Sequence, residues 1–406
     1  MEALTGAADF FARLSREPDF DAEELQAHDA TDELLLSTAA DEIRALQPCE
    51  LVVIGDRHGA LTLGAAELLG ARGIRVFQDP VLGERALHRN AERLGIPAGA
   101  DGAFASHPLD ASLLAGARLV LVQLPRGLDA LDEIAWSIAA WAHPEVHVFA
   151  GGRVKHMTLA MNEVLGRRFA EVSAGLARRK SRVLTARAPL APDALGSAPF
   201  PRFGEDADLA FPVAAFGATF GGPTLDHGSR LLLSGLGNVS PGVRRIVDLG
   251  CGNGVLGVSA ARAWPAAHVI ATDQSAAAQR ATTLTADRAG VLATGCAHGA
   301  DTDPAGLCVH RADALEAVPD GWAELILLNP PFHTGATVHA GVAHRLIEAC
   351  TRALAPGGEL RIVFNSHLRY RTLVERAIGP ATQIARDRTF TVLSARAPAL
   401  GSGRAR

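Results

Sequence analysis

Short apolar runs alternate with stretches of helical spacing through the carboxy-terminal half of the chain. Runs near residues 244–249, 267–273, 307–312, 324–329, 359–365, 383–388 and 390–396 are read as strands, each brief, apolar and closed by a turn signal. Helices separate them until the last two, which are expected to pair as an antiparallel hairpin. Pro356-Gly357-Gly358 is read as the turn that stops the helix before the fifth strand. Strand and helix in alternation predict an α/β fold with a doubly wound sheet.

The same order of elements is found earlier in the chain. Val183-Leu184-Thr185-Ala186-Arg187-Ala188-Pro189 recurs almost unchanged as Val392-Leu393-Ser394-Ala395-Arg396-Ala397-Pro398. The segment from Leu51 to Leu61 echoes Ile246 to Leu256, Arg75-Val76-Phe77-Gln78-Asp79 echoes the strand ending at Asp273, and Leu119 to Pro125 echoes Leu325 to Pro331. Ordered agreement at several strand ends points to two tandem copies of one Rossmann-like fold. With 406 residues, 48% of them apolar, the chain can fill two cores. Four prolines (Pro189, Pro192, Pro199, Pro201) fall between residues 188 and 206 and stiffen a linker. The expected organisation is a first domain over 1–190, a linker over 191–205 and a second domain over 206–406.

The chemistry sits at strand ends of the second copy. Asp248-Leu249-Gly250-Cys251-Gly252-Asn253-Gly254 joins a strand to a helix, and Gly252, Gly254 and Gly257 satisfy the dinucleotide spacing. Asp273 closes the next strand, where a ribose carboxylate is expected. Asp248 argues for S-adenosylmethionine over a dinucleotide, since a carboxylate there would repel a pyrophosphate but help hold a methionine ammonium. Asp273 suits the ribose of either ligand.

Asn329-Pro330-Pro331-Phe332 follows the apolar run Leu325-Ile326-Leu327-Leu328. Each proline fixes its own φ and restricts the residue before it, so the segment makes a stiff ledge. The Asn329 carboxamide oxygen and the Pro330 carbonyl can both accept hydrogen bonds from a planar NH2 group, and Phe332 can stack on its ring. Two acceptors would pull that nitrogen toward tetrahedral geometry and expose its lone pair. His333, next in line, is read as shaping the pocket or touching substrate. In the first copy Asp248 is matched by Val53, Gly252 by Arg57 and Asn329 by Gln123, with Leu124 in place of the first proline. The first copy is therefore expected to bind no cofactor.

These motifs, with Gly358 to Val363 leading into Asn365-Ser366-His367-Leu368-Arg369-Tyr370 and with Leu225-Asp226-His227-Gly228-Ser229-Arg230-Leu231-Leu232-Leu233 ahead of the first strand, resemble the class I S-adenosylmethionine-dependent methyltransferases. More narrowly, they resemble the tandem-domain bacterial ribosomal RNA guanine-N2 methyltransferases. The resemblance implies a seven-stranded sheet with a reversed final strand, and methyl transfer to the N2 amine of a guanine in ribosomal RNA. It assigns the loop through Gly250, Cys251, Gly252, Asn253 and Gly254, with Asp248, to the methionine moiety. It assigns Asp273 to the ribose, Asp313 to the adenine, and Asn329 to the target amine and the cofactor's edge. A similar ledge serves amine methylation of a protein glutamine or of adenine N6 in DNA, and a non-catalytic S-adenosylmethionine-binding protein is the reading from another class.

Charge adds a partner surface. Residues 150–190 carry nine basic side chains, among them Arg153, Lys155, Arg178, Arg179, Lys180 and Arg182, against two acidic ones, in a chain of net charge −5. Such a block fits contacts to RNA phosphates, and the ribosomal RNA or a ribosomal subunit is the expected partner. The five cysteines match no metal-ligand spacing and read as reduced thiols of a cytosolic protein with no metal site. No apolar run reaches the length of a membrane span. Residues 292–307, rich in Gly, Ala and Asp, read as an inserted loop.

Overall fold

The computed structural model describes residues 4–19, 25–293, 295–296, 304–331 and 337–399. It divides into two compact units, with the division between Phe200 and Pro201.

The first unit holds β1 (Leu51–Ile54), β2 (Ile74–Phe77), β3 (Phe104–Ser106), β4 (Leu119–Gln123), β5 (His147–Arg153), β6 (Phe169–Ala174) and β7 (Ser181–Pro189). They form one sheet in the order β3-β2-β1-β4-β5-β7-β6. The first five are parallel, and β7 runs antiparallel to both β5 and β6. In the second unit β8 (Arg202–Gly204) and β9 (Val213–Ala215) pair as a small ribbon. They are followed by β10 (Arg245–Leu249), β11 (His268–Asp273), β12 (Gly306–Arg311), β13 (Ala323–Leu328), β14 (Leu354–Asn365), β15 (Ala381–Arg386) and β16 (Phe390–Arg396). The large sheet runs β12-β11-β10-β13-β14-β16-β15, the same order as in the first unit.

Parallel strands covered on both faces favour near-continuous apolar runs, and β10 and β13 supply them apart from Arg245, Asp248 and Glu324. Val247, Leu249, Ile326 and Leu328 enter one core with Ile362 and Leu360. Their neighbours Ile246, Leu325 and Leu327 enter the opposite core with Val258 and Val363. Each fully buried Leu, Ile or Val contributes about 1.5–3 kcal/mol, so the central strands cannot slip register without losing both layers.

Three expectations are corrected. The sixth strand of the second sheet spans Ala381–Arg386 rather than 383–388. Pro356-Gly357-Gly358 lies inside β14 at an irregular register, with Ala323 opposite Leu354 and Leu325 opposite Glu359, so the helix Thr337–Ala353 ends before it. Cys296 and Cys308 are disulfide-bonded rather than reduced, because their segments bring the Cα atoms to 5.7 Å, within the usual bridging range.

The proline segment is not a free tether. Pro192–Leu195 is helical, Arg168 donates to the Leu195 carbonyl and the Trp136 indole to the Gly196 carbonyl, so residues to about 196 are docked on the first unit. Half of the segment 292–307 lies outside the described residues. No helix among those described is long and apolar enough to cross a membrane, and no group of three His, Cys, Asp or Glu side chains converges there as a metal site.

Candidate active site

A cleft of about 850 Å³ opens at the carboxyl ends of β10, β11 and β13. Gly250, Gly252, Asp273, Asp313, Asn329 and Pro330 line it, together with Pro331. The glycine turn is built from its backbone. Gly250 and Gly252 have φ of 75° and 55°, a region L-residues with side chains seldom occupy, and a Cβ on either would meet no protein atom within 4 Å. The space above them is the cleft. The Thr272 carbonyl accepts from the Gly250 and Cys251 amides at 2.8 and 3.0 Å, which folds the turn over β11.

Asp273 fixes the turn from the side. Its Oδ2 accepts the Gly252 amide at 3.1 Å and its Oδ1 the Ser275 amide at 2.9 Å. Farther along, Arg345 donates to Asp313 at 2.9 Å, so the helix Thr337–Ala353 braces the strip Ala312-Asp313-Ala314.

Four residues that sequence reasoning groups with the cofactor loop do not line the cleft. Asp248 is fully buried on the sheet face beneath the helix Val255–Ala263, where Oδ2 accepts the Gly257 amide at 2.7 Å. A Cβ on Gly257 would stand 2.9 Å from that oxygen, so the third glycine of the motif serves this strand-to-helix contact. Asp248 Oδ1 has no partner, and burial pushes the carboxyl up to about 7. Cys251 is buried against the Thr282 hydroxyl. The Asn253 amide donates to the Gly222 and Thr224 carbonyls, and Gly254 packs on Thr282.

Asn329 is held by a segment distant in sequence. Its Nδ2 donates to Asp226 Oδ1 at 3.2 Å and to Ser229 Oγ at 3.0 Å. Asp226 caps the helix His227–Ser234, accepting the amides of Gly228 and Ser229. The carboxamide is therefore oriented by its nitrogen, and its Oδ1 is left buried with no hydrogen-bond partner. An orphan acceptor of this kind costs about 1–3 kcal/mol unless a donor from water or a ligand reaches it. Phe332 and His333 lie outside the described residues.

The first unit repeats this construction with altered parts. Strand register aligns Gly55 with Gly250, Arg57 with Gly252, Gly59 with Gly254 and Gln123 with Asn329. Gly55 and Gly59 keep φ of 81° and 91°. Thr272 stands opposite Leu249 and Phe77 opposite Ile54, so the counterpart of Asp273 is Gln78, not Asp79. The carboxylate that braces the helix has moved: Asp56, in the turn, accepts the amides of Leu61 and Thr62, and Thr62 corresponds to Gly257. Gln123 donates to Asp32, three residues into a helix capped by Asp29, as Asn329 donates to Ser229 three residues past Asp226. The parallel Asp29-x-x-Asp32-x-Leu34-Leu35-Leu36 and Asp226-x-x-Ser229-x-Leu231-Leu232-Leu233 was readable in the sequence and is the signal that would have found the partners of Asn329.

Of the basic residues, Lys155, Arg178 and Lys180 are exposed. Arg179 pairs with Glu33, Arg153 donates to the Arg179 carbonyl and Ser181, and Arg182 is half-buried with Nε unpartnered. Most of them gather on the β6–β7 hairpin turn and the end of β5. Arg168, counted in the same block, is instead half-buried in a bidentate pair with the buried Asp132.

A sheet in this order, a glycine turn after its first strand, an aspartate closing the second and an Asn-Pro-Pro ledge after the fourth define the second unit as a methyltransferase of the class I fold. Family models agree: residues 211–394 match the methyltransferase small domain and residues 2–190 the RLMG N-terminal domain. Ribosomal RNA large subunit methyltransferase G of Streptomyces coelicolor is 32% identical over 392 residues, covering 94% of this chain and 97% of its own length. The protein of that name from Pseudomonas entomophila is 33% identical over 385 residues, covering 94% and 96%. The chain belongs to the ribosomal RNA large subunit methyltransferase G family. Among solved structures, the T. thermophilus 16S rRNA N2 G1207 methyltransferase, in complex with AdoMet and guanosine, shares the fold at TM-score 0.69 and 18% identity, covering 91% of this chain and 92% of its own.

Proposed function

We propose that the second unit transfers a methyl group from S-adenosylmethionine to the exocyclic N2 amine of a guanine in ribosomal RNA, and that the large-subunit RNA for which its relatives are named is the substrate. The observation that carries the reading is Asn329 Oδ1, buried, unpartnered and fixed in orientation by Asp226 and Ser229. The open space above Gly250 and Gly252 fits the methionine end of the cofactor, and the Asp273 carboxylate at the cleft wall fits its ribose, with the strip at Asp313 beside the adenine. Bound there, the cofactor supplies an electrophilic methyl on a positively charged sulfur.

Asn329 Oδ1 and the Pro330 carbonyl accept the two hydrogens of the incoming amine. As the nitrogen–carbon bond forms and the sulfur–carbon bond breaks, the nitrogen gains positive charge, and both contacts strengthen at that moment. The nitrogen then releases its extra proton to water without a dedicated base. A guanine inside paired RNA has to leave its stack to reach this ledge. The exposed cations Lys155, Arg178 and Lys180, with Arg153, Arg179 and Arg182 beside them, give the first unit a face for RNA phosphates.

The test is incubation of the full chain with radiolabelled S-adenosylmethionine and ribosomal RNA stripped of its modifications, followed by nucleoside analysis. N2-methylguanosine at one position is expected. Cofactor binding with no label in RNA would replace this reading with a binding protein, and label in adenosine or in a ribosomal protein with one of the related amine transfers.

A further inference from the structure

The first unit also keeps a small open cleft at the carboxyl ends of its strands, about 50 Å³, lined by Arg57, Gln123, Arg126, Gly152, Arg153 and His156 among others. Strand register gives each cation its counterpart. Arg57 stands where the second unit has Gly252, Arg126 where it has Phe332, and Arg153 where it has Asn365. Basic side chains thus follow three successive strand ends, at the places where the other copy presents its glycine turn, its ledge and the exit of β14.

Arg57 and Arg126 are exposed and have no acid partner among the described residues. Burial and the cations Arg126, Lys155, Arg57 and Arg153 hold the His156 pKa below its ordinary value, so these groups act as one positive field. The acid that lines the cleft, Asp29, is engaged in capping the helix Ala30–Ala45. Behind Gln123, Asp32 adds little negative charge, because burial pushes it up to about 8. A site with unpaired guanidinium groups around a glycine floor suits doubly bonded contact to phosphate oxygens.

We infer that the cleft of the first unit is a phosphodiester-binding site in which Arg57, Arg126 and Arg153 grip the backbone of a single-stranded stretch of the RNA substrate. The inference rests on the reading that RNA is the substrate, and names where in the catalytically altered copy a strand is held. It differs from the hairpin patch in being a concave site that takes a strand end-on to the sheet.

The experiment is a salt titration of binding between the full chain and a fluorescein-labelled single-stranded RNA 16-mer, for wild type, Arg57→Ala/Arg126→Ala and Arg57→Lys/Arg126→Lys. Each phosphate contact to single-stranded nucleic acid contributes about 0.7 to the slope of log K against log salt. The double alanine variant should lose about 1.4 from that slope and bind about 25-fold more weakly at 0.1 M salt. The lysine variant should keep the slope while losing the two-point grip. Calorimetry with S-adenosylmethionine should be the same for all three. An unchanged slope and affinity in the alanine variant would overturn the inference, as would tight binding of adenosine monophosphate at this cleft with the RNA slope unaffected. If the alanine variant behaves as expected but wild type transfers no methyl to RNA, the proposed activity fails and the phosphate site stands; methyl transfer with an unchanged slope gives the reverse.

Discussion

Replacing Asn329 with Ala separates function from stability in a way the structure makes quantitative. The side chain spends its nitrogen on Asp226 and Ser229 and leaves its oxygen buried without a partner. Removing it forfeits a hydrogen bond to a charged group, about 1.5–3 kcal/mol, but also removes an unsatisfied carbonyl that costs about 1–3 kcal/mol. Asp226 keeps its two backbone donors, Gly228 and Ser229, whereas the buried Ser229 hydroxyl loses its Asn329 donor, a further cost of about 1 kcal/mol. The net cost stays within about 2 kcal/mol, and at roughly 2–4 °C per kcal/mol for a unit of this size the Tm should move by less than about 8 °C. Turnover has no such compensation. In the proposed mechanism the lost acceptor faces a nitrogen that becomes positive in the transition state, so about 1.5–3 kcal/mol is lost there, a fall in kcat of roughly 10- to 150-fold. S-adenosylmethionine affinity, measured by calorimetry, should stay within about threefold, because the proposed cofactor contacts lie mainly at the glycine turn and Asp273. A kcat within twofold of wild type on ribosomal RNA would refute the reasoning, and so would a fall in kcat matched by a collapse in Tm.

Other perturbations probe the rest of the molecule. Gly252→Ala forces a side chain onto a backbone at φ 55° and points its methyl into the cleft; cofactor affinity should fall at least about tenfold, since strain of about 1–3 kcal/mol adds to the steric block, while RNA binding is retained. Asp32 is raised to about 8 in the folded state, so the fold binds its proton above the unfolded pKa, and this stability is full below about pH 4 and lost as pH rises through 8. Urea midpoints of Asp32→Asn should therefore pull ahead of wild type between pH 5 and pH 8.5, and a gap independent of pH would contradict the assignment. Arg168→Ala leaves Asp132 buried without its bidentate partner and should cost about 3–5 kcal/mol, whereas Lys180→Ala should leave the melting curve in place and weaken RNA binding.

The strand order could be followed in the sequence because the parallel core demands unbroken apolar runs, and Leu325 to Leu328 admits few other readings. The glycine turn and the ledge could be followed for the same reason, since φ above zero and a double proline are local requirements. What stayed hidden was long-range or directional. Asn329 and Asp226 lie 103 positions apart, and no spacing rule links them, although the duplicated helix-capping segment offered a route. A strand buried on both faces gives no alternation, so the sequence could not tell that Asp248 turns beneath the helix while Asp273 turns to the cleft. The pairing of Cys296 with Cys308 likewise depends on where a strand edge and the segment before it meet.

The differently placed acid limits what the first unit can accept at Val53. In the first unit Asp56 already satisfies the helix amide that Asp248 serves in the second, so restoring an aspartate at Val53 alone would crowd two ionisable groups onto one buried donor. The two acids are thus mutually exclusive ways of holding one helix start, and an aspartate at Val53 fits only where Asp56 has been removed.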